Sequence, residues 1–356
     1  MRNLFLTYNS FMSDIEIFQE EYPSLESYWR SIILFGKNVA SYKFALSKSL
    51  LEIAPTEKNI ITLEELAEPF SRYICEHLQQ ASKQATSNNS LFLDSCKKFN
   101  SGELSHQELL EITIKNGFNY VLDAFHVVNG DTTPINFYKK DFSGAQKRII
   151  LTDEIFKLKE IPNFYDLTSE TEARWRLVET AWELGIFRNL IDVKYDNNEQ
   201  LLFVENSLLR RKDVTSARDA LNGYQKGKCF YCFNDISINS DDDNTCDVDH
   251  FFPRTLQSYV PDVNLDGVWN LVLTCDKCNR GSNGKFAKVP SLKYLNRLHK
   301  RNEFLISSHH PLRETLMKQT GKTTEERINF LKEMDKLAIN LLVQRWETEQ
   351  VSKEVF

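Results

Sequence analysis

The chain has 356 residues, of which 26% are charged, 41% hydrophobic and 12% aromatic. This composition excludes disordered, collagen-like and coiled-coil proteins and predicts two or three globular domains. The net charge of -6 argues against a protein that binds nucleic acid over its whole surface. No apolar stretch approaches the roughly 20 residues that span a bilayer, and the first residues turn polar too early for a signal peptide. We therefore expect a cytoplasmic protein with no membrane partner.

The first 130 residues are predicted to form a helical domain. Apolar residues recur at three- and four-residue spacing from Ile32 to Leu50, which is the pattern of one long amphipathic helix. Two capping boxes begin further helices: Thr62 with Glu65, and Ser105 with Glu108. We interpret the apolar stripes as core packing between helices, with a partner-binding face as the alternative.

Residues 131–212 are predicted to form an α+β region. Ser169 and Glu172 cap a helix, a strand follows at residues 191–195, and a turn leads to a second strand at residues 201–204. A winged-helix DNA-binding domain has this order of elements, but many unrelated α+β domains have it as well.

Residues 301–356 are predicted to form a helical C-terminal tail. Thr323 and Glu326 cap a helix whose apolar stripe continues to Val343. We expect this helix to pack on the body of the protein or on a second copy of it, which would make a homodimer.

Two Cys-x-x-Cys pairs stand out among the seven cysteines of the chain: Cys229 with Cys232, and Cys275 with Cys278. The two-residue spacing lets both sulfurs of a pair face one ion, and two pairs complete a tetrahedral thiolate site for zinc. Ordinary buried cysteines are the alternative, but two such pairs rarely arise by chance. A site with four thiolates has no open position, so the zinc would be structural. The remaining cysteines are not assigned to metal: Cys75, Cys96 and Cys246.

The segment between the pairs alternates in a way that predicts a ββα arrangement. Asp247–Pro253 is a strand that ends at a proline, and Trp269–Thr274 is a second strand that runs into the second pair. A polar loop connects the strands, and a helix follows the second pair.

At these residues the sequence resembles the HNH endonuclease family, in its zinc-stapled ββα-metal form. The residues that match the motif are Asp249, His250, Asn270 and Asn279. Asn279 stands where the third histidine is usual, which makes this an HNN variant. The resemblance covers about residues 215–300 and implies an α+β protein with a zinc-bound nuclease module at residues 213–300, between a mainly helical N-terminal region and the helical tail.

The resemblance implies a role for each motif residue, and the chemistry of phosphodiester hydrolysis agrees with it. His250 would take a proton from the attacking water, because imidazole titrates near neutral pH. Asp249 and Asn279 would supply oxygen ligands to a catalytic Mg²⁺ or Mn²⁺, and Asn270 would brace the loop that carries His250. The alternatives are an ordinary hydrogen-bonded Asp-His pair and a simple turn residue at Asn270.

A local excess of positive charge borders the predicted site. The stretch from Lys277 to Arg301 has eight basic and no acidic residues, which leaves a formal charge of -14 on the remainder of the chain. A basic face beside a metal site suits DNA binding, with Arg254, Arg280 and Lys285 as candidate phosphate contacts. Solvated surface charges are the alternative reading.

Together these patterns predict a metal-dependent DNA endonuclease that hydrolyses phosphodiester bonds. One HNH site cuts one strand, so a double-strand break needs a dimer or two successive nicks. The N-terminal half would recognise a target or a partner protein, and by analogy the protein would act in restriction or antiphage defence. The alternatives are a non-catalytic zinc-stabilised module that binds DNA or protein, and an RNA-directed nuclease.

Overall fold

The computed structural model describes residues 24–35, 39–86, 89–128, 131–144, 146–162, 164–183, 193–205, 211–239, 242–307, 312–349 and 352–356. The chain divides into two compact units, an N-terminal unit at Pro23–Ile186 and a C-terminal unit that contains Phe187–Phe356. The predicted α+β region at residues 131–212 is thus shared between the units. Among the described helices, none has the length and apolar character needed to cross a membrane.

The N-terminal unit is mainly helical. Its described helices are α1 (Leu25–Phe35), α2 (Tyr42–Ile53), α3 (Leu63–Gln80), α4 (Leu91–Asn100), α5 (His106–Ile112), α6 (Val121–Ala124), α7 (Asp153–Lys159) and α8 (Asp166–Glu183). Both predicted capping boxes are present, at Thr62 before α3 and at Ser105 before α5. The side-chain oxygen at each cap accepts a backbone N–H that the first helical turn cannot satisfy.

Two helix predictions for this unit are wrong. The stripe from Ile32 to Leu50 is not one helix, because the chain is extended at Ala40, which pairs with Ala85 in an isolated bridge. The apolar residues on either side therefore belong to α1 and α2. Helix α8 begins at Asp166, so Ser169 lies inside the helix instead of capping it.

Small antiparallel sheets complete the N-terminal unit. The strands are β1 (Ile60–Thr62), β2 (Val127–Val128), β3 (Asp131–Thr132), β4 (Tyr138–Asp141) and β5 (Arg148–Leu151). They form a three-stranded sheet in the order β1-β5-β4 and a two-stranded hairpin of β2 with β3. The core is aromatic, with Trp29, Phe44 and Trp175 buried. The stripe residues Ile32, Leu46 and Leu50 are buried and serve core packing, whereas Val39 is exposed.

The C-terminal unit combines short sheets with helices. Its described strands are β6 (Val193–Asp196), β7 (Leu201–Glu205), β8 (Arg211–Ser216), β9 (Asp247–His250), β10 (Leu271–Thr274), β11 (Val289–Pro290) and β12 (Arg345–Trp346). Its described helices are α9 (Ala217–Gln225), α10 (Asp276–Arg280), α11 (Leu292–Ser307), α12 (Arg313–Thr320) and α13 (Thr324–Leu342). The strand, loop, strand, helix order predicted around the cysteine pairs is present as β9, β10 and α10.

The C-terminal helices pack on the cysteine-containing module, which is the packing on the body of the protein that the sequence predicts. Helix α11 runs across the predicted boundary at residue 300. From this helix, buried Arg301 donates to the carbonyls of Val268 and Trp269. The last described residues also reach the module, since the Ser352 N–H donates to the Cys232 carbonyl at 2.9 Å. The predicted capping box at Thr323 is present at the start of α13.

Candidate metal centre and active site

The four predicted ligand cysteines converge in space. One sulfur from each residue lies within 4.8 Å of the other three. The Sγ atoms of Cys232 and Cys275 are 3.7 Å apart. Zinc–sulfur bonds of about 2.3 Å in a tetrahedron place the sulfurs about 3.8 Å apart, so this cluster can hold a metal such as zinc.

Tight backbone turns bring each pair of sulfurs together. In the first pair, the Phe233 N–H donates to the Cys229 carbonyl and Phe233 takes a left-handed φ of 61°. In the second pair, Cys275 is the N-cap of α10, so Cys278 follows one helical turn later. Burial raises the pKa of the Cys229 thiol, whereas a hydrogen bond from Cys229 and others from its neighbours lower the pKa of Cys275. The neighbouring sulfurs thus favour the thiolate of Cys275, the form that binds metal, while they add to the raised pKa of the Cys229 thiol.

The β9–β10 hairpin positions the predicted catalytic residues. Its antiparallel register pairs His250 with Leu271 and Asp249 with Val272. His250 is the last residue of β9, so it lies where the 251–270 loop begins. Because neighbouring residues of a strand face opposite sides, Asp249 and His250 project in different directions.

Asn270 connects the two ends of this loop. Its amide nitrogen donates to the carbonyls of Phe252 and Leu265, each at 2.9 Å, and its side-chain oxygen accepts from the Phe252 N–H at 2.8 Å. The side chain is fully buried. These bonds satisfy backbone groups that water cannot reach, so Asn270 fixes the path of the chain immediately after His250.

His250 forms a dyad with an acidic residue that the sequence analysis did not identify. Its Nε2 lies 2.8 Å from Asp266 Oδ1, and the other oxygen of Asp266 pairs with Arg254 at 3.1 Å. An ionised carboxylate only accepts hydrogen bonds, so Nε2 carries the hydrogen and Nδ1 is the proton acceptor of the neutral ring. The Tyr195 ring lies beside the imidazole, with 6.1 Å between ring centroids.

The surroundings of His250 favour its neutral form. Burial lowers the pKa of His250, and the carboxylate of Asp266 opposes that shift. Burial, with a contribution from Asp266, also raises the pKa of Tyr195 to about 12. At neutral pH the site therefore presents an unprotonated imidazole nitrogen beside a neutral phenol.

Asp249 lies in a buried ion pair. Its Oδ1 accepts from Lys285 Nζ at 3.0 Å and its Oδ2 accepts from the Tyr231 hydroxyl at 2.9 Å. The Lys285 side chain is 1% exposed, so its ammonium faces Asp249 and not solvent. A phosphate-contacting lysine must be exposed, and the prediction that Lys285 contacts DNA is inconsistent with this position.

Asn279 lies next to a second aspartate. Its amide nitrogen donates to Asp247 Oδ2 at 3.0 Å, and Arg280 binds both oxygens of Asp247. Asp247 and Asp249 are two residues apart on β9 and so share a face of the strand. That face carries the oxygen donors, while His250 lies on the other.

The residues predicted to hold Mg²⁺ or Mn²⁺ fit such a cation only in part. Carboxylate and amide oxygens are the correct donors. Both oxygens of Asp249, however, already accept a hydrogen bond, and Lys285 neutralises its charge. A divalent cation at Asp249 would share that carboxylate with Lys285 or displace the lysine.

The basic stretch from Lys277 to Arg301 is not a uniform surface. Three of its members are buried: Lys285, Arg297 and Arg301. Arg297 donates to the Phe230 carbonyl and thereby supports the first cysteine turn. The side chains of Arg254 and Arg280 are 55% and 67% exposed, so these two predicted DNA contacts lie at the surface.

No protein-family model matches the chain, and neither a curated protein nor a solved structure is similar to it. The resemblance to HNH endonucleases therefore depends on the motif residues themselves. The four-cysteine cluster is the part of that resemblance that the fold supports directly.

Asp266 and Tyr231 are the site residues that sequence reasoning missed. Tyr231 stands inside the first cysteine pair, where its spacing carried no catalytic signal. Asp266 lies four residues before Asn270, in the loop that must return to the end of β9. An acidic residue at that place is expected to face His250, the histidine of the hairpin. This expectation could have identified Asp266 from the sequence.

Proposed function

We propose that this protein is a metal-dependent endonuclease that hydrolyses phosphodiester bonds in DNA, with His250 as the general base. The observation that carries the proposal is the His250–Asp266 dyad at the end of a ββ hairpin whose flanking turns hold four clustered cysteines. Hydrolysis of a phosphodiester requires a base, which here is oriented by a carboxylate, and a cation, for which oxygen donors stand on the opposite face of the same strand.

His250 prepares the nucleophile in this reaction. Its Nδ1 takes a proton from water as the water attacks phosphorus in line with the leaving 3′ oxygen. The P–O3′ bond breaks and the 3′ oxygen takes a proton from solvent, which leaves a 5′-phosphate and a 3′-hydroxyl. Asp266 holds Nε2–H, so the ring cannot rotate and the imidazolium that forms is stabilised. Arg254, paired with Asp266 and exposed, lies where it can contact the phosphate.

The oxygen donors on the other face of β9 have a separate task. Asp249 and Asn279 are the residues that would hold Mg²⁺ or Mn²⁺, and that cation would neutralise charge on the phosphate. Asn270 keeps the His250 loop in position, and Arg280 offers a surface contact for DNA. We assign zinc to the cysteine cluster as a structural ion, because four thiolates leave no position for substrate.

A plasmid-nicking assay tests the proposal. The purified chain should convert supercoiled plasmid to open circles with Mg²⁺ or Mn²⁺, and His250→Ala should abolish this activity. His106→Ala, an exposed histidine of the N-terminal unit, is the matched control and should cut normally. Cleavage by His250→Ala at the parent rate would rule out His250 as the base, and preferential cleavage of RNA would identify an RNA-directed nuclease.

A second candidate is a zinc-stabilised module that binds DNA or protein without cutting. The ion pair between Asp249 and Lys285 favours it, since a buried pair of this kind has a structural role without any divalent cation. DNA binding with no cleavage under any metal would support this candidate.

The biological setting is proposed by analogy. A nuclease module joined to a large helical unit suits restriction or antiphage defence in the cytoplasm, with the N-terminal unit contacting a target or a partner protein. A homodimer would allow both strands to be cut.

A further inference from the structure

Phe286 is an exposed aromatic residue in a strained backbone position beside the candidate site. Its φ is 47°, in the left-handed region, and 53% of the residue is exposed. Glycine or asparagine occupies such positions at less cost than phenylalanine, whose Cβ crowds the backbone. A phenylalanine at this place is therefore neither buried as a core residue nor favoured by the backbone conformation.

The backbone around Phe286 is held firmly. Its N–H donates to the Asn279 carbonyl at 3.0 Å, and its carbonyl accepts from Lys285 Nζ at 3.1 Å. Gly284 leaves no room for a side chain, because an added Cβ would lie 2.8 Å from the Gly281 carbonyl oxygen. These bonds fix the backbone of Phe286 beside Asn279 and beside Lys285, the lysine that pairs with Asp249.

The segment that carries Phe286 is basic in sequence. Lys277, Arg280 and Lys288 flank it, and no acidic residue occurs between Lys277 and Arg301. An exposed ring in a basic segment suits a polyanion whose bases can stack, which describes a nucleic acid with unpaired bases. A protein partner would instead need a wider apolar surface than one ring.

We propose that Phe286 stacks on an unpaired base of DNA bound at the candidate site. This inference deepens the proposed function, since it assigns single-stranded or locally opened DNA as the preferred substrate. It also explains why strain is retained at this position, because strained residues persist where their side chain has a function.

Binding measurements in the His250→Ala background test the inference without cleavage. The full-length protein is titrated against a fluorescein-labelled single strand and the corresponding duplex, with fluorescence anisotropy as the readout. Phe286→Ala should weaken binding to the single strand about tenfold and binding to the duplex much less, because stacking on one base is worth about 1–3 kcal/mol. Phe286→Trp should restore it.

Two further variants separate a binding role from a structural one. Leu292→Ala removes an apolar side chain that is equally exposed and should leave DNA affinity unchanged. Phe286→Gly should weaken binding as Phe286→Ala does, while its Tm stays at or above that of the parent because the left-handed strain is relieved.

Each possible result either supports or overturns the stacking role of Phe286. Parent-like affinity of Phe286→Ala for single strands, an equal loss in Leu292→Ala, or tighter binding to RNA than to DNA would overturn the inference. Nicking by the parent that depends on His250 would still support the proposed function in those cases. If the parent never cuts DNA but Phe286→Ala weakens its binding to single strands, the stacking role is supported and the nuclease function is refuted.

Discussion

Replacing Asn270 by alanine tests how strongly the hairpin loop depends on one side chain. The amide makes three buried hydrogen bonds to backbone groups at both ends of the loop. Each such bond contributes about 1 kcal/mol, and the backbone groups left behind would be unsatisfied. We expect Asn270→Ala to lower the free energy of unfolding of the C-terminal unit by about 3–5 kcal/mol.

Asn302 provides a matched control for this change. It is also buried, but its amide nitrogen makes one bond, to the Trp269 carbonyl at 3.2 Å. Within the described part of the chain its side-chain oxygen has no hydrogen-bond partner. Asn302→Ala removes an unsatisfied group together with one bond, so it should cost no more than about 1 kcal/mol.

The measurement must resolve the two units. Urea denaturation is monitored by hydrogen exchange in residues 247–274. This segment contains the whole hairpin, so the measurement reports the C-terminal unit alone. Equal destabilisation by Asn270→Ala and Asn302→Ala would refute the reasoning that these bonds hold the loop.

Three other perturbations have definite expected results. Asp266→Asn removes a charge that raises the pKa of His250. The acid limb of the pH–rate profile should therefore move to lower pH while the maximal rate falls, and a shift to higher pH would contradict the dyad. Lys285→Met leaves a buried carboxylate unpaired and should cost about 3–5 kcal/mol in urea denaturation, whereas Arg280→Ala breaks an exposed pair and should cost at most about 1 kcal/mol. Cys278→Ser should release the bound metal and unfold the C-terminal unit, and elemental analysis that finds no zinc in the parent would refute the thiolate site.

The elements that could be predicted from the sequence depend on residues close together in the chain. A capping box needs two residues three positions apart, and the one before α13 is present because its side chains bond only to local backbone. The ββα order and the cysteine cluster were also accessible, since the spacing of thiols and the alternation of strands are local patterns.

The relations that escaped prediction arise from tertiary contact. Asp266 faces His250 only because the loop returns beside the strand that it left. Lys285 is buried because Asp249 accepts its ammonium, while the Tyr231 hydroxyl donates to the other oxygen of that carboxylate. A lysine in a polar sequence is usually exposed, so composition assigned this one to the surface. The same principle applies to Ala40, whose bridge to a distant alanine interrupts a helical stripe.

The hydrogen bond from Ser352 to Cys232 makes the cysteine cluster vulnerable to events far along the chain. A single proteolytic cut between Leu342 and Ser352 would leave all four sulfurs intact and still release the C-terminal segment whose Ser352 N–H donates to the first cysteine turn. A gene fragment ending at residue 300 would likewise lack the arginine that α11 directs at the hairpin. The stretch that supports the cysteine cluster therefore includes Ser352, well beyond the motif that makes the module recognisable.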